Sequence, residues 1–158
     1  MNEAETYSHT QKASSCLLLY AFAVAFLAAS CFLPLYALQI VLLVTGLSML
    51  VLAVSFHHLT VADEGYQLAI RFGPLPLFRK RIWYEDIREV ETGRSTFLDG
   101  WGIHWSPRGG WIWNISGRDC VVIRLKRGTI RVGTDDPEGL VAFLKRRIAA
   151  HGPGRGER

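Results

Sequence analysis

The fold of this chain follows from one uncharged apolar stretch, residues 16–56, which reads CLLLYAFAVAFLAASCFLPLYALQIVLLVTGLSMLVLAVSF. None of its 41 positions holds Asp, Glu, Lys or Arg. A single helix of that length would extend about 60 Å, which is about twice the hydrocarbon thickness of a bilayer. The stretch therefore predicts a hairpin of two membrane-spanning helices over residues 15–56, with Pro34 near the bend.

The residue types inside this block indicate packing rather than transport. Small side chains such as Gly46 and Ser48 in the second helix, and residues 28–30 in the first, favour close contact between helices. Proton-coupled carriers and pumps need ionisable groups at mid-membrane, and the block offers none of the four charged types. The composition therefore argues against those classes of protein.

Basic residues flank the block but do not occur between the two predicted helices. Lys12 precedes it, whereas Arg71 and Arg79 are the first to follow. By the positive-inside rule, we expect a multi-pass protein of the inner (cell) membrane with both termini in the cytoplasm and residues 1–14 as an N-terminal tail. The alternative is a cleaved lipoprotein signal ending in LAASC at Cys31. The acidic start of the chain and the second apolar run argue against it.

Most of the charge lies after the apolar block. The 158 residues have a formal net charge of +4, and 17 of the 18 basic residues follow position 56. The orientation of the chain beside a membrane accounts for these cations, so we predict no nucleic-acid partner. The three cysteines lack the spacing of a zinc site or a disulfide framework, so neither a metal nor a cofactor is predicted.

From residue 57 onward the hydrophobic pattern takes the two-residue period of β-strands. Leu68, Ile70 and Phe72 alternate with small or polar residues. The sequence Gly-Pro-Leu-Pro at 73–76 ends this strand. Further strands are predicted at 77–84 and 87–92, with Glu85-Asp86 as the turn between them.

Four of the five tryptophans lie in GWGIHWSPRGGWIWNI, residues 100–115. A hairpin with residues 106–110 as its loop pairs Trp105 with Trp111, Ile103 with Trp113, and Trp101 with Ile115, all on one face. This pattern predicts an aromatic surface formed by Trp101, Trp105, Trp111 and Trp113. Such a surface is either part of the core or a contact for a membrane interface or partner.

A second hairpin is predicted at 120–126 and 129–133, with Arg127-Gly128 as its turn. In that register Arg124 lies opposite Arg131, and like charges facing each other favour a bridging anion or a solvated face. Together with the cations of the earlier strands, this hairpin gives a candidate binding surface. Its members are Arg79, Lys80, Arg81, Arg124, Lys126, Arg127 and Arg131.

The last structured element is a helix. Thr-Asp-Asp-Pro-Glu at 134–138 is typical of a helix start, with an acidic cap and proline in the first turn. Leu140, Val141 and Leu144 then form an apolar stripe. We expect one domain over 57–150 and a disordered tail at 151–158.

The order of these elements resembles bacterial pleckstrin-homology-like (PH-like) domains attached to membrane helices. The residues that carry the resemblance are IRFGPL, WYEDIREVE, GWGIHW, RGGWIWNISG and RVGTDDPEGLVAFL. The resemblance implies an α+β architecture: a two-helix transmembrane hairpin followed by a PH-like antiparallel β-barrel or sandwich, capped by a C-terminal helix. It brings no catalytic residues.

These features predict a membrane-anchored, non-catalytic binding module that presents a basic and aromatic surface at the cytoplasmic face. Its partners are the lipid bilayer, through anionic headgroups, or a membrane or cytoplasmic protein. The alternative is a structural subunit of a membrane complex, assembled through the transmembrane helices with Gly46 at the contact. The motifs GxSxG and HExxH and phosphate-binding glycine loops are missing from the sequence, so no enzyme is predicted.

Overall fold

The protein is described here by a computed structural model that covers residues 6–13, 16–94, 102–106 and 109–151. Within these ranges it is a mixed α+β structure with two sheets and a C-terminal helix. The helices are α1 (Cys16–Phe32), α2 (Tyr36–Ser55) and α3 (Pro137–His151). The strands are β1 (Ser8–Lys12), β2 (His58–Asp63), β3 (Gln67–Gly73), β4 (Arg79–Trp83), β5 (Ile87–Arg94), β6 (Gly102–Trp105), β7 (Trp111–Asn114), β8 (Asp119–Leu125) and β9 (Thr129–Gly133).

Helices α1 and α2 pack side by side in opposite directions, as a helical hairpin. A Cβ atom at Gly46 would lie 2.8 Å from the Leu27 Cγ atom, so the absence of a side chain lets the helices approach closely. Among the described helices, α2 is long and apolar enough to cross a membrane, and only 11% of its apolar window is buried. Helix α1 is also apolar but has 17 residues.

The first sheet has the strand order β1-β2-β3-β4, and every neighbouring pair is antiparallel. Its edge strand β1 corrects the expectation that residues 1–14 are only a tail. The helical hairpin returns the chain to its starting point, and Lys12 therefore lies opposite His58. The polar sequence of β1, Ser-His-Thr-Gln-Lys, carries little of the alternation that identifies a strand.

The second sheet has the order β5-β8-β9-β7-β6. Strands β7 and β9 pair in parallel, whereas the other neighbours are antiparallel. The expectation of purely antiparallel sheets is therefore wrong for this sheet. The reason is that the β8–β9 hairpin is placed between β5 and β7, which returns β9 alongside β7 in the same direction.

One core joins the two sheets and α3. The Phe72 ring of the first sheet lies 5.9 Å from the Trp113 ring of the second, and Leu140 and Leu144 of α3 are fully buried beside them. The predicted helix start is confirmed, because Asp136 Oδ1 accepts a hydrogen bond of 3.1 Å from the Gly139 N–H, ahead of Pro137.

The first sheet has two distinguishable ends. At the hairpin end, β2 starts and β3 stops beside the base of α1 and α2, with His58 opposite Gly73. At the far end, α3 closes the domain: the Tyr7 and Phe143 rings stack at 5.2 Å, and the Arg147 guanidinium contacts Asp63.

Candidate functional site

The hairpin end is held together by three phenylalanines. Phe56 directly follows α2, and its ring lies 4.8 Å from Phe72 and 5.1 Å from Phe78. The Phe72 N–H also donates to the Phe78 carbonyl at 3.0 Å, which closes the connection between β3 and β4. The start of β4 is therefore fixed beside the base of the helices.

This position brings the first part of the predicted basic surface to the hairpin end. Arg79 and Lys80 are the first two residues of β4; both are exposed, and within the described ranges neither forms an ion pair. Arg81 differs, because its Nε lies 3.5 Å from a Glu64 oxygen, and the same carboxylate binds Arg71 at 2.8 Å. Two of the three predicted cations of β4 thus have charge available for a ligand.

The prediction that Arg124 opposes Arg131 is wrong. The Leu125 N–H donates to the Gly128 carbonyl at 2.9 Å, so the turn lies one residue earlier than predicted. Gly128 has a φ of +89°, a conformation that glycine adopts without strain. The pairing shifts by two residues, and Arg124 faces Thr129 while Arg131 faces Val122.

Carboxylates neutralise much of this second cationic group. Arg124 binds Glu91 at 2.8 Å and Glu89 at 3.4 Å, and the Glu91 hydrogen bond followed by its charge raises the pKa of the guanidinium. Lys126 lies 3.4 Å from an Asp86 carboxylate oxygen. Arg127, beside Lys126 at the turn, is exposed.

The structure thus divides the seven predicted cations rather than joining them. Lys126 is hydrogen-bonded through its backbone to Asp86, which follows the far end of β4. Along β4 alone, that end lies about 13 Å from Arg79. The hairpin-end pair Arg79 and Lys80 and the far-end pair Lys126 and Arg127 therefore cannot bind one small anion together.

The predicted tryptophan register is confirmed for the residues described: Trp105 faces Trp111, and Ile103 faces Trp113. Trp113 is buried in the core, whereas Trp105 and Trp111 are 59% and 52% exposed. The core alternative therefore holds for Trp113, whereas Trp105 and Trp111 form the exposed part of the row. Trp101 lies outside the described residues.

Polar groups also gather where the helices meet the first sheet. The Cys16 thiol donates to the Ala13 carbonyl at 2.8 Å and lies 3.6 Å from His57 Nδ1. Burial, followed by the charges of His57 and Lys12, lowers the pKa of the neighbouring His58. Within the ranges that the structure covers, no three His, Cys, Asp or Glu residues could hold a metal ion.

An apolar cavity of about 530 Å³ lies between the base of the helical hairpin and the second sheet. Leu18, Leu19 and Leu52 of the helices line one side, and Ile103 and Ile115 line the other. Its walls are mainly apolar and provide few hydrogen-bonding groups.

A buried carboxylate at the far end was not identified from the sequence. The Asp63 side chain is fully buried, accepts a hydrogen bond of 2.7 Å from the Tyr84 hydroxyl, and pairs with Arg147. Burial, followed by the hydrogen bond to Asp63 and its charge, raises the pKa of Tyr84. Because Arg147 is 84 positions away in the chain, no local pattern signals the pair.

Comparison with models of known protein families gives no match for this chain, and comparison with curated proteins gives none either. The placement of charges, aromatic rings and apolar helices is therefore the basis for assigning a function.

Proposed function

We propose that this protein is a membrane-anchored, non-catalytic binding module of PH-like type. A two-helix transmembrane hairpin holds it in the inner membrane, with both termini and the two-sheet domain on the cytoplasmic side. Its ligand is the anionic lipid headgroup, bound by Arg79 and Lys80. The observation that carries the proposal is the position of these two exposed cations beside the base of two apolar helices.

The pairing of β1 with β2 supports an anchor that enters and leaves on one side. These strands flank the helical hairpin, and Lys12 lies opposite His58 across the sheet. The ends of α1 and α2 that join the sheet must therefore lie on the same side of any bilayer that the hairpin enters. Two crossings satisfy this condition, and a single crossing does not.

Helix dimensions support the same anchor. The 17 residues of α1 extend about 26 Å and the 20 residues of α2 about 30 Å, close to the hydrocarbon thickness of a bilayer. The connecting residues require little further length. A short first helix is accommodated by local thinning of the bilayer at modest cost.

Electrostatic attraction favours the hairpin-end cations over the rest of the basic surface as the site of headgroup binding. A basic residue near an anionic membrane gains about 1 kcal/mol, and the gain decays over a Debye length of about 8 Å at physiological salt. Arg79 and Lys80 lie at the end where the helices emerge, whereas Lys126 and Arg127 lie beside the far end of β4. Headgroup binding is therefore assigned to the first pair.

The competing role as a structural subunit depended on a small-residue surface left free for partner helices. In this structure Gly46 contacts Leu27 inside the hairpin itself. Gly46 is therefore used within the hairpin, which favours lipid binding, whereas the small residue Ser48 of α2 stays exposed.

Lipid selection by the full-length protein tests the proposal. We would place it in nanodiscs of mixed phosphatidylcholine and phosphatidylglycerol, release it, and count the retained lipids by native mass spectrometry. Wild type should retain phosphatidylglycerol preferentially, and Arg79→Gln/Lys80→Gln should lower that preference by up to about thirtyfold, since two residues at about 1 kcal/mol each are lost.

The matched control is Lys126→Gln/Arg127→Gln, which removes the same charge from the far end. It should retain the wild-type preference. Equal retention by both variants and wild type, or a loss confined to the far-end variant, would contradict the assignment.

A further inference from the structure

The connection between β3 and β4 exposes apolar side chains directly before two basic residues. It runs from Pro74 to Phe78, and within it Leu75 and Leu77 are 42% and 60% exposed. The two residues that follow it, Arg79 and Lys80, are cations. The loop thus combines an apolar tip with a basic base, a distribution typical of segments at a membrane interface.

This loop protrudes from the hairpin end of the first sheet. Strand β3 ends at Gly73 opposite His58, where the chain has just left α2. The Phe78 ring then packs 5.1 Å from Phe56, the first residue after α2. The loop therefore lies beside the point at which the apolar helices emerge.

The backbone of the loop is suited to an apolar medium. Pro74 and Pro76 have no N–H group, and the Leu77 N–H donates to the Leu75 carbonyl at 2.8 Å. The Phe78 carbonyl accepts the Phe72 N–H. Unpaired backbone donors are the main cost of placing a loop in hydrocarbon, and this loop has few of them.

The turn at the other end of the same strand lacks this combination. Between β2 and β3, the exposed Tyr66 follows Asp63, Glu64 and Gly65, and the Gly65 N–H donates to an Asp63 oxygen at 2.8 Å. Strand β3 separates the two turns by about 20 Å. They therefore provide matched positions at opposite ends of one sheet.

We propose that Leu75 and Leu77 insert into the apolar edge of the bilayer leaflet that the helical hairpin enters. The sheet domain then contacts the membrane through a third element, which fixes its orientation and holds Arg79 and Lys80 at headgroup level. This inference rests on the proposed function, because it requires the hairpin to be in a bilayer.

Depth-dependent fluorescence quenching of the full-length protein in nanodiscs tests the insertion. One added cysteine, carrying an environment-sensitive fluorophore, is introduced as Leu75→Cys, Leu77→Cys, Tyr66→Cys or Val44→Cys. The background is Cys31→Ser, because Cys31 is exposed whereas Cys16 and Cys120 are buried. The nanodisc lipids carry nitroxide quenchers either near the headgroup or deep in the acyl chain.

If the loop is inserted, positions 75 and 77 lose more than about half of their fluorescence to the shallow quencher, since interfacial segments lie about 5–10 Å deep. Position 66 keeps its fluorescence, and position 44, in the middle of α2, responds most strongly to the deep quencher. Positions 75 and 77 behaving like 66 while 44 is quenched would overturn the insertion and leave the anchor intact. An unquenched position 44 would overturn the anchor and, with it, the insertion.

Discussion

The helical hairpin and the two-sheet domain place the same kinds of side chain in opposite environments. Phe32 of α1 is 85% exposed, whereas Phe72 of β3 is fully buried. Exposed leucines and valines cover α2, whereas those of β8 and β9 contribute to a shared core. One region therefore excludes water by packing against itself, whereas the other leaves its apolar side chains on the outside.

The buried ion pair of the sheet domain gives the largest expected effect. Asp63→Ala removes a fully buried carboxylate and leaves Arg147, which is only 17% exposed, without it. We expect the free energy of unfolding to fall by about 3–5 kcal/mol. Thermal unfolding of the full-length protein in detergent, followed by tryptophan fluorescence, measures the change.

The control for this prediction is Asp119→Ala. Asp119 is 52% exposed and pairs with Arg94 at 3.2 Å on the surface, so its removal should cost at most about 1 kcal/mol. Equal losses in the two variants would mean that the far end is not closed by a buried pair.

The same substitution should have different costs in the two regions. Leu68→Ala empties a fully buried site in the sheet core and should cost about 3 kcal/mol, because a cavity remains. Leu43→Ala removes the same atoms from a leucine that is 45% exposed on α2, and should cost less than about 1 kcal/mol, since lipid or detergent fills the space. The same thermal measurement applies, and similar losses at both positions would remove the distinction between the regions.

Packing within the helical hairpin has an intermediate expected effect. Gly46→Val brings a side chain against Leu27, where even a Cβ would lie at 2.8 Å. Overpacking of this kind costs about 1–3 kcal/mol. Circular dichroism of the helical signal on heating should show earlier melting, whereas the exposed control Ser48→Val should melt like wild type. An unchanged Gly46→Val variant would show that the helices do not pack through this position.

The smallest expected effect concerns pH at the junction of the two regions. Burial lowers the pKa of His58 in the folded protein, so the unfolded chain binds a proton more readily. His58 therefore contributes stability above about pH 6.5, and this contribution is lost as the pH falls below that value. The melting temperature should fall between about pH 7.5 and about pH 5.5, and less steeply in His58→Gln. A wild-type melting temperature that rises as the pH is lowered from about 7.5 to about 5.5 would be inconsistent with the burial of His58.

The sequence predicts the elements that have a recognisable local sequence pattern. The two apolar helices, the cap at Asp136 and the pairing of Trp105 with Trp111 all follow from composition, capping and period. These features depend on residues close together in the chain, which is why they can be recognised without the structure.

The remaining features depend on distant contacts. Strand β1 forms because the helical hairpin returns the chain beside it. Asp63 contacts Arg147 only when α3 is packed against the sheet. The predicted pairing register of β8 and β9 is wrong because their turn lies one residue earlier, with Gly128 in the positive-φ position. Ion pairs with Glu89 and Glu91 then neutralise Arg124, which the position of that residue in the sequence does not reveal.

The sidedness of two positions in intact cells tests the proposed anchor. Leu35→Cys lies between α1 and α2 and is 62% exposed, whereas Arg127→Cys lies on the sheet domain. With Cys31 replaced by serine, a membrane-impermeant maleimide should label position 35 from outside, and should label position 127 only after the cells are permeabilised. Labelling of position 127 in intact cells, or recovery of the full-length protein in the soluble fraction without detergent, would contradict the account.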